Sequence, residues 1–126
     1  VAAKYSGAVS AAVSTTAPFQ WNTKQHDTHN AVTTGASWRF TAPIAGIYRV
    51  SATAAITAGP QDIAVYKNGT ITPSTLFGAN GTYSLSGSVS IQLLAGDYID
   101  VRPTASSYTA VAGTNYSISI EKVGNY

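Results

Sequence analysis

The stretch from Trp38 to Ile56, WRFTAPIAGIYRVSATAAI, constrains this chain more than any other. It holds two strand-like runs, residues 38–41 and 47–56, joined by Ala-Pro-Ile-Ala-Gly. Pro43 fixes its own φ there, and Gly46 tolerates backbone angles other residues avoid. The second run alternates. Tyr48, Val50, Ala52, Ala54 and Ile56 fall on one face; Arg49, Ser51 and Thr53 fall on the other. A period of two with one apolar face predicts a half-buried β-strand. With this strand at its centre, the rest of the chain reads as sheet.

Residues 1–14 alternate through Tyr5, Gly7, Val9, Ala11 and Val13. The alanines also suit a helix, but Val, Ser and Thr dominate after Ala8 and favour extended chain, so one first strand is expected. Residues 15–30 read as a connection. Phe19 and Trp21 share one side of a short extended piece, and KQHDTHN is polar and exposed. A strand at 63–66 ends in Asn68-Gly69, a strong hairpin-turn signal. Pro73 makes 70–77 a loop or an edge strand, and Asn80-Gly81 marks another turn. Residues 83–94 alternate, with Gly87 at a bulge or a close backbone approach. Ala95-Gly96-Asp97 turns into a strand at 98–102, residues 103–113 form a polar loop, and 116–120 form the last strand. About eight strands and no helix predict a β-sandwich or barrel.

The 126 residues suffice for one domain with a buried core. Only 10% of them are charged, against a usual quarter. Ser, Thr, Ala and Gly replace the charges, and such a chain tends to cover surface in an oligomer. The net charge of +2 comes from scattered Lys and Arg, so no nucleic-acid partner is expected. No cysteine is present, which excludes disulfides, thiolate metal sites and a cysteine nucleophile. No run approaches the length of a transmembrane helix, so no membrane insertion is expected.

Three motifs carry a family resemblance. They are Phe40-Thr41-Ala42-Pro43-Ile44-Ala45-Gly46-Ile47-Tyr48, the strand and turn Ile63-Ala64-Val65-Tyr66-Lys67-Asn68-Gly69, and Val89-Ser90-Ile91-Gln92-Leu93-Leu94-Ala95-Gly96-Asp97-Tyr98-Ile99. In this order and spacing they resemble the C1q/tumour-necrosis-factor-like domain, over roughly residues 5–123. The resemblance implies an all-β jelly-roll sandwich of about 8–10 antiparallel strands across residues 1–126. It also implies a homotrimer and a binding role. The last strand departs from the family: Tyr116-Ser117-Ile118-Ser119-Ile120-Glu121 stands where the family has aromatic–Ser–Gly–aromatic. The text around the first motif looks more like the bacterial and bacteriophage branch, whose members resemble fibre tips and capsid-decoration knobs.

His26, Asp27 and His29 form the only His/Asp cluster, with three N/O ligands suited to a divalent metal. Neighbours 26 and 27 point apart on an extended chain, so the favoured reading is a polar loop without metal. Asp62, Asp97 and Asp100 are calcium candidates, but calcium requires six or more oxygens. The favoured reading has Asp97 capping a turn and Asp100 solvated beside Arg102. Dispersed acids and the lack of a Gly-x-Ser-x-Gly elbow argue against glycosidase or serine-hydrolase chemistry. No enzyme and no cofactor are expected.

Tyr83 and Tyr108 are candidate contacts for a host glycan or protein. Leu93 and Leu94 are adjacent, as are Tyr98 and Ile99, so one of each pair points away from the core. Leu94 and Tyr98 are therefore assigned to a trimer interface. The resulting expectation is a virion knob outside the cell, partnered by itself and by capsid or tail proteins. A bacterial carbohydrate-binding module is the alternative, and a small hydrolase the third reading.

Overall fold

A computed structural model describes residues 1–57, 62–77 and 84–126. Among them are β1 (Ala2–Ala8), β2 (Ala12–Ser14), β3 (Trp21–Asp27), β4 (Val32–Thr33), β5 (Arg39–Thr41), β6 (Gly46–Ala55), β7 (Ile63–Lys67), β8 (Thr70–Phe77), β9 (Ser84–Leu93), β10 (Tyr98–Pro103), β11 (Ser107–Thr109) and β12 (Gly113–Gly124). Two five-stranded antiparallel sheets face each other, ordered β3-β1-β12-β6-β9 and β4-β5-β10-β7-β8, beside a small β11-β2 pair. From β5 onward the chain repeatedly changes sheet: β6 lies in the first, β7 and β8 in the second, β9 in the first and β10 in the second. This is a jelly-roll sandwich.

The alternation in β6 is realised, with Tyr48, Val50, Ala52, Ala54 and Ile56 all buried. The core between the sheets holds two aromatic groups among aliphatic side chains, one around Trp38 and the other Phe40 edge-on to Tyr48 at 5.5 Å. Trp38 meets Trp21 edge-on at 5.3 Å and Tyr5 at 6.5 Å, and Phe19 stacks on Trp21 at 5.9 Å. Both indole N–H groups donate, Trp38 to the carbonyl of Trp21 at 2.8 Å and Trp21 to the carbonyl of Thr53 at 3.2 Å. Each ring thus buries its large apolar area without an unpaired donor.

Several expectations are corrected. β6 is second from one edge of its sheet, and the centre is β12. Residues 1–14 form two strands, β1 and β2, placed in different sheets. Residues 15–30 contain β3, an edge strand. An edge strand beyond the core is wet on both faces, so β3 is exposed from Asn22 to His26 and shows no alternation. The polar stretch 103–113 holds the short β11. Gly87 sits in an unbroken β6–β9 register without a bulge. The edge-strand reading of 70–77 holds, since β8 ends the second sheet. Asn68 and Gly69 both take positive φ, 52° and 83°, as a hairpin turn of this type requires.

Candidate functional site on the two outer faces

Each sheet turns one face to the core and the other outward. The outer face of the first sheet is a field of small hydroxyls. One cross-strand row runs through Thr23, Ser6, Ser117, Thr53 and Ser86; the next runs through His26, Lys4, Ser119, Ser51 and Ser88. Ser51 and Ser88 share a hydrogen bond of 2.9 Å, and Thr53 Oγ1 accepts the Ser117 amide at 2.9 Å. A shallow depression of about 180 Å³ opens over the backbone of Ala52 and Gly87, ringed by Ser51, Thr53, Ser86, Ser117 and Ser119. No titratable group lines it.

Toward one end the same face changes character. Arg49 and Glu121 pair at 3.3 Å with both side chains about half exposed, an arrangement contributing at most about 1 kcal/mol. Past this pair come Ile47, Val123 and Leu94; Val123 is 44% and Leu94 50% exposed. Leu93, one residue earlier, is fully buried, as the alternation requires.

The outer face of the second sheet is built around a buried charge. Thr33 pairs with Arg39, Asp100 with Tyr66, and Tyr66 with Ile71. The β10–β5 register, Tyr98 with Thr41 and Ile99 with Phe40, continues to place Arg39 beside Asp100. One row therefore crosses all five strands as Thr33, Arg39, Asp100, Tyr66 and Ile71. Asp100 is only 3% exposed. Arg102 grips it with Nε to Oδ1 and Nη2 to Oδ2, both at 2.9 Å, and donates Nη1 to the Thr15 carbonyl at 3.0 Å. Its guanidinium lies 4.8 Å from the Tyr66 ring centre, and the Tyr66 hydroxyl donates to the Pro103 carbonyl. Burial pushes the Asp100 carboxyl up, against the pull of Arg102 and Arg39. The expectation of a solvated Asp100 is thus corrected, because Arg102 and Tyr66 roof it over.

The remaining predicted residues fall elsewhere. Asp27 ties the start of the chain to the next loop. Its Oδ1 accepts the Ala31 amide at 2.8 Å, and its Oδ2 accepts the Val32 amide and the Tyr5 hydroxyl, each at 3.0 Å. Partial burial raises this carboxyl, but the donors outweigh it and hold it below the usual range. Tyr5 is pushed up to about 12, chiefly by burial and then by Asp27. His26 is exposed on β3, and His29 Nδ1 meets Thr28 Oγ1 at 2.8 Å. Among the described residues no three His, Cys, Asp or Glu side chains converge to hold a metal.

Asp97 does cap its turn, accepting the Leu94 amide at 2.8 Å. It also accepts Asn68 Nδ2 at 3.0 Å, and Asn68 Oδ1 accepts the Tyr98 amide. The Asn68 and Leu94 donors hold its carboxyl below the usual range. Asp62 is exposed and uses its main-chain carbonyl to receive the Thr104 amide. Tyr108 is half-buried on β11 opposite Val13, packed against the core. Tyr83 lies outside the described residues. Leu94 and Tyr98 bracket one turn yet belong to opposite outer faces: Leu94 follows β9 at the end of the first sheet beyond the Arg49–Glu121 pair, while the Tyr98 ring lies under Arg39, whose Cζ is 3.9 Å from the ring centre.

Arg39, the burial of the Asp100–Arg102 pair and the hydroxyl field were not singled out from the sequence. The field has a readable signal in β9, where Ser84, Ser86, Ser88 and Ser90 occupy every second position. Arg39 has none, because its neighbours on the face come from four other strands.

No protein-family model and no curated protein sequence matches this chain. Solved structures share its fold along nearly its whole length. The TNF Eiger from S. frugiperda superposes with a TM-score of 0.73 at 20% identity, over 100% of this chain and 94% of that one. The globular domain of zebrafish complement 1qA gives 0.70 at 17% identity, over 99% and 98%. Murine APRIL gives 0.70 at 13% identity, over 97% and 98%. The fold is therefore the jelly roll of TNF and C1q globular domains.

Proposed function

We propose that residues 1–126 form one non-catalytic recognition domain that works as a homotrimer. The carrying observation is the graded outer face of the first sheet. Its centre is uncharged and made of short side chains, which lose little rotamer entropy when covered. Its end exposes Leu94 and Val123 beside half-buried Ile47, and these gain from being covered. The jelly roll shared with a TNF and a complement globular domain supports the same reading. Tyr98, on the opposite face, is left to ligand contact rather than to the trimer.

Light scattering at micromolar concentration is expected to give three times the 13.0-kDa chain mass. Leu94→Asp, which sets a charge in the apolar border, shifts the mass toward one chain. A wild-type protein that runs as a single chain at that concentration refutes the trimer.

In finer terms the domain is a knob on a phage particle, at a fibre tip or on the capsid, displayed outside the cell toward a host surface. Its partners are then capsid or tail proteins. The likeness of residues 27–54, with 65–69 and 93–103, to the bacteriophage branch supports this. Capsid or tail genes beside its own gene are the expected result, and a gene set without them counts against the virion role.

A further inference from the structure

We infer that the outer face of the second sheet binds a carboxylate-bearing saccharide through Arg39. The inference rests on the recognition reading above but not on the trimer.

Arg39 is the one guanidinium on this face whose N–H groups are not committed. Arg102 has Nε and Nη2 on Asp100 and Nη1 on Thr15. Lys67 is held by Asp97 at 3.4 Å and by the Gln92 carbonyl at 3.2 Å. Arg39 donates to no protein acceptor among the described residues. Its head is nonetheless fixed in place, stacked 3.9 Å above the Tyr98 ring. A planar fork held this way presents paired donors for a carboxylate at little further ordering cost.

The local charge fixes the valence of the ligand. Arg39 and Arg102 face the single carboxylate of Asp100, and that carboxylate already has both oxygens occupied. One positive charge remains over, which matches a monoanion. A sulfated or phosphorylated polyanion calls for several open cations, and among the described residues of this face there is one.

The surroundings favour a sugar over a peptide. β5 is paired on both sides, with β4 and β10, so no strand can be added directly beside Arg39, and the open outer edge of β4 is only two residues long. Thr33 and Thr41 flank Arg39 with hydroxyls able to donate and accept, and exposed Ile71 ends the row with an apolar surface. Hydroxyls beside one oriented cation suit an acidic sugar ring, and Ile71, three strands away, is left to a further ring of a longer saccharide.

Isothermal titration at low ionic strength tests this with trigalacturonate and 3′-sialyllactose, the methyl ester of the first, and hexaglutamate. At least one acidic saccharide is expected to bind, the methyl ester weakly or not at all. Arg39→Ala weakens binding about tenfold or more, the scale of a lost charge-assisted contact. Arg39→Lys keeps the charge but loses the fork, and falls between wild type and Arg39→Ala. Unchanged Trp fluorescence shows that both variants stay folded, and light scattering on the same samples reports the trimer separately. Failure of both saccharides to bind wild type at millimolar concentration overturns the inference. So does equal binding of the ester, or of Arg39→Ala. Tighter binding of hexaglutamate than of either saccharide overturns it in favour of an acidic peptide.

Discussion

Replacing Arg102 with Met removes the donors from a buried carboxylate while keeping most of the side-chain stem. Asp100 is 3% exposed and takes two 2.9-Å bonds from Arg102, whose own side chain is 11% exposed. Breaking such a pair from one side costs about 3–5 kcal/mol, because a charge stays buried without compensation. That is a large share of the roughly 5–15 kcal/mol by which domains are stable. At about 3–5 °C per kcal/mol for a chain of this size, the melting temperature falls by about 10–25 °C.

The pH dependence has a definite sign. Asp100 is held above its ordinary value by burial. A raised carboxyl destabilises the fold at high pH, and the penalty disappears as pH falls through the folded value toward the unfolded one, near 3.9. The deficit of Arg102→Met therefore narrows in acid. Asp100→Asn combined with Arg102→Met leaves no buried charge, and is expected to be more stable than Arg102→Met alone at neutral pH. Urea titration followed by the emission of the buried Trp21 and Trp38 measures all four corners of the cycle. An Arg102→Met deficit below about 1 kcal/mol, the value of an exposed pair, refutes the reasoning. A double variant as unstable as that single one does the same.

Other outcomes follow from the same structure. Asp27→Asn costs about 1–3 kcal/mol at neutral pH, since it disturbs two amide bonds and the Tyr5 hydroxyl bond. The Asp27 carboxyl is lowered, so its stabilisation is present above about pH 4 and fades as pH falls through the folded value; urea midpoints of variant and wild type should converge in acid. Tyr5 works in the opposite direction: with its hydroxyl raised to about 12, stability is lost as pH climbs above about 10, and Tyr5→Phe blunts that alkaline loss in a thermal melt. Gly46→Ala drives a Cβ to 2.5 Å from Lys122 Cε and 2.9 Å from the Gly124 carbonyl oxygen. The side chain can move but the backbone resists, so a loss of about 1–3 kcal/mol in urea is expected.

Much of the fold was legible because a β-strand announces itself locally. The alternation of Tyr48 to Ile56, the Asn68-Gly69 turn and the Pro73 edge strand each depend on a few neighbouring residues, and each appears where the pattern puts it. The misses share one cause. At an edge, β3 projects beyond the core, so NTKQH has no dry face to write into its sequence. Asp100 sits in an outward position, where Arg102 grips it and Tyr66 stands across from it on the next strand.

The sequence alone determined that strands form, which side of each is apolar, and where Leu94 and Tyr98 leave the core. Only the tertiary structure decided which outer face each one joins. Between them the chain turns at Gly96, with φ 90°, and crosses from the first sheet to the second. Residues four apart thereby end on opposite sides of the sandwich. By the same step Thr33, Arg39, Asp100, Tyr66 and Ile71, drawn from five strands, come into one row. Period-two alternation is a property of one strand, whereas a row across a sheet is a property of register, and register is set by every other strand at once.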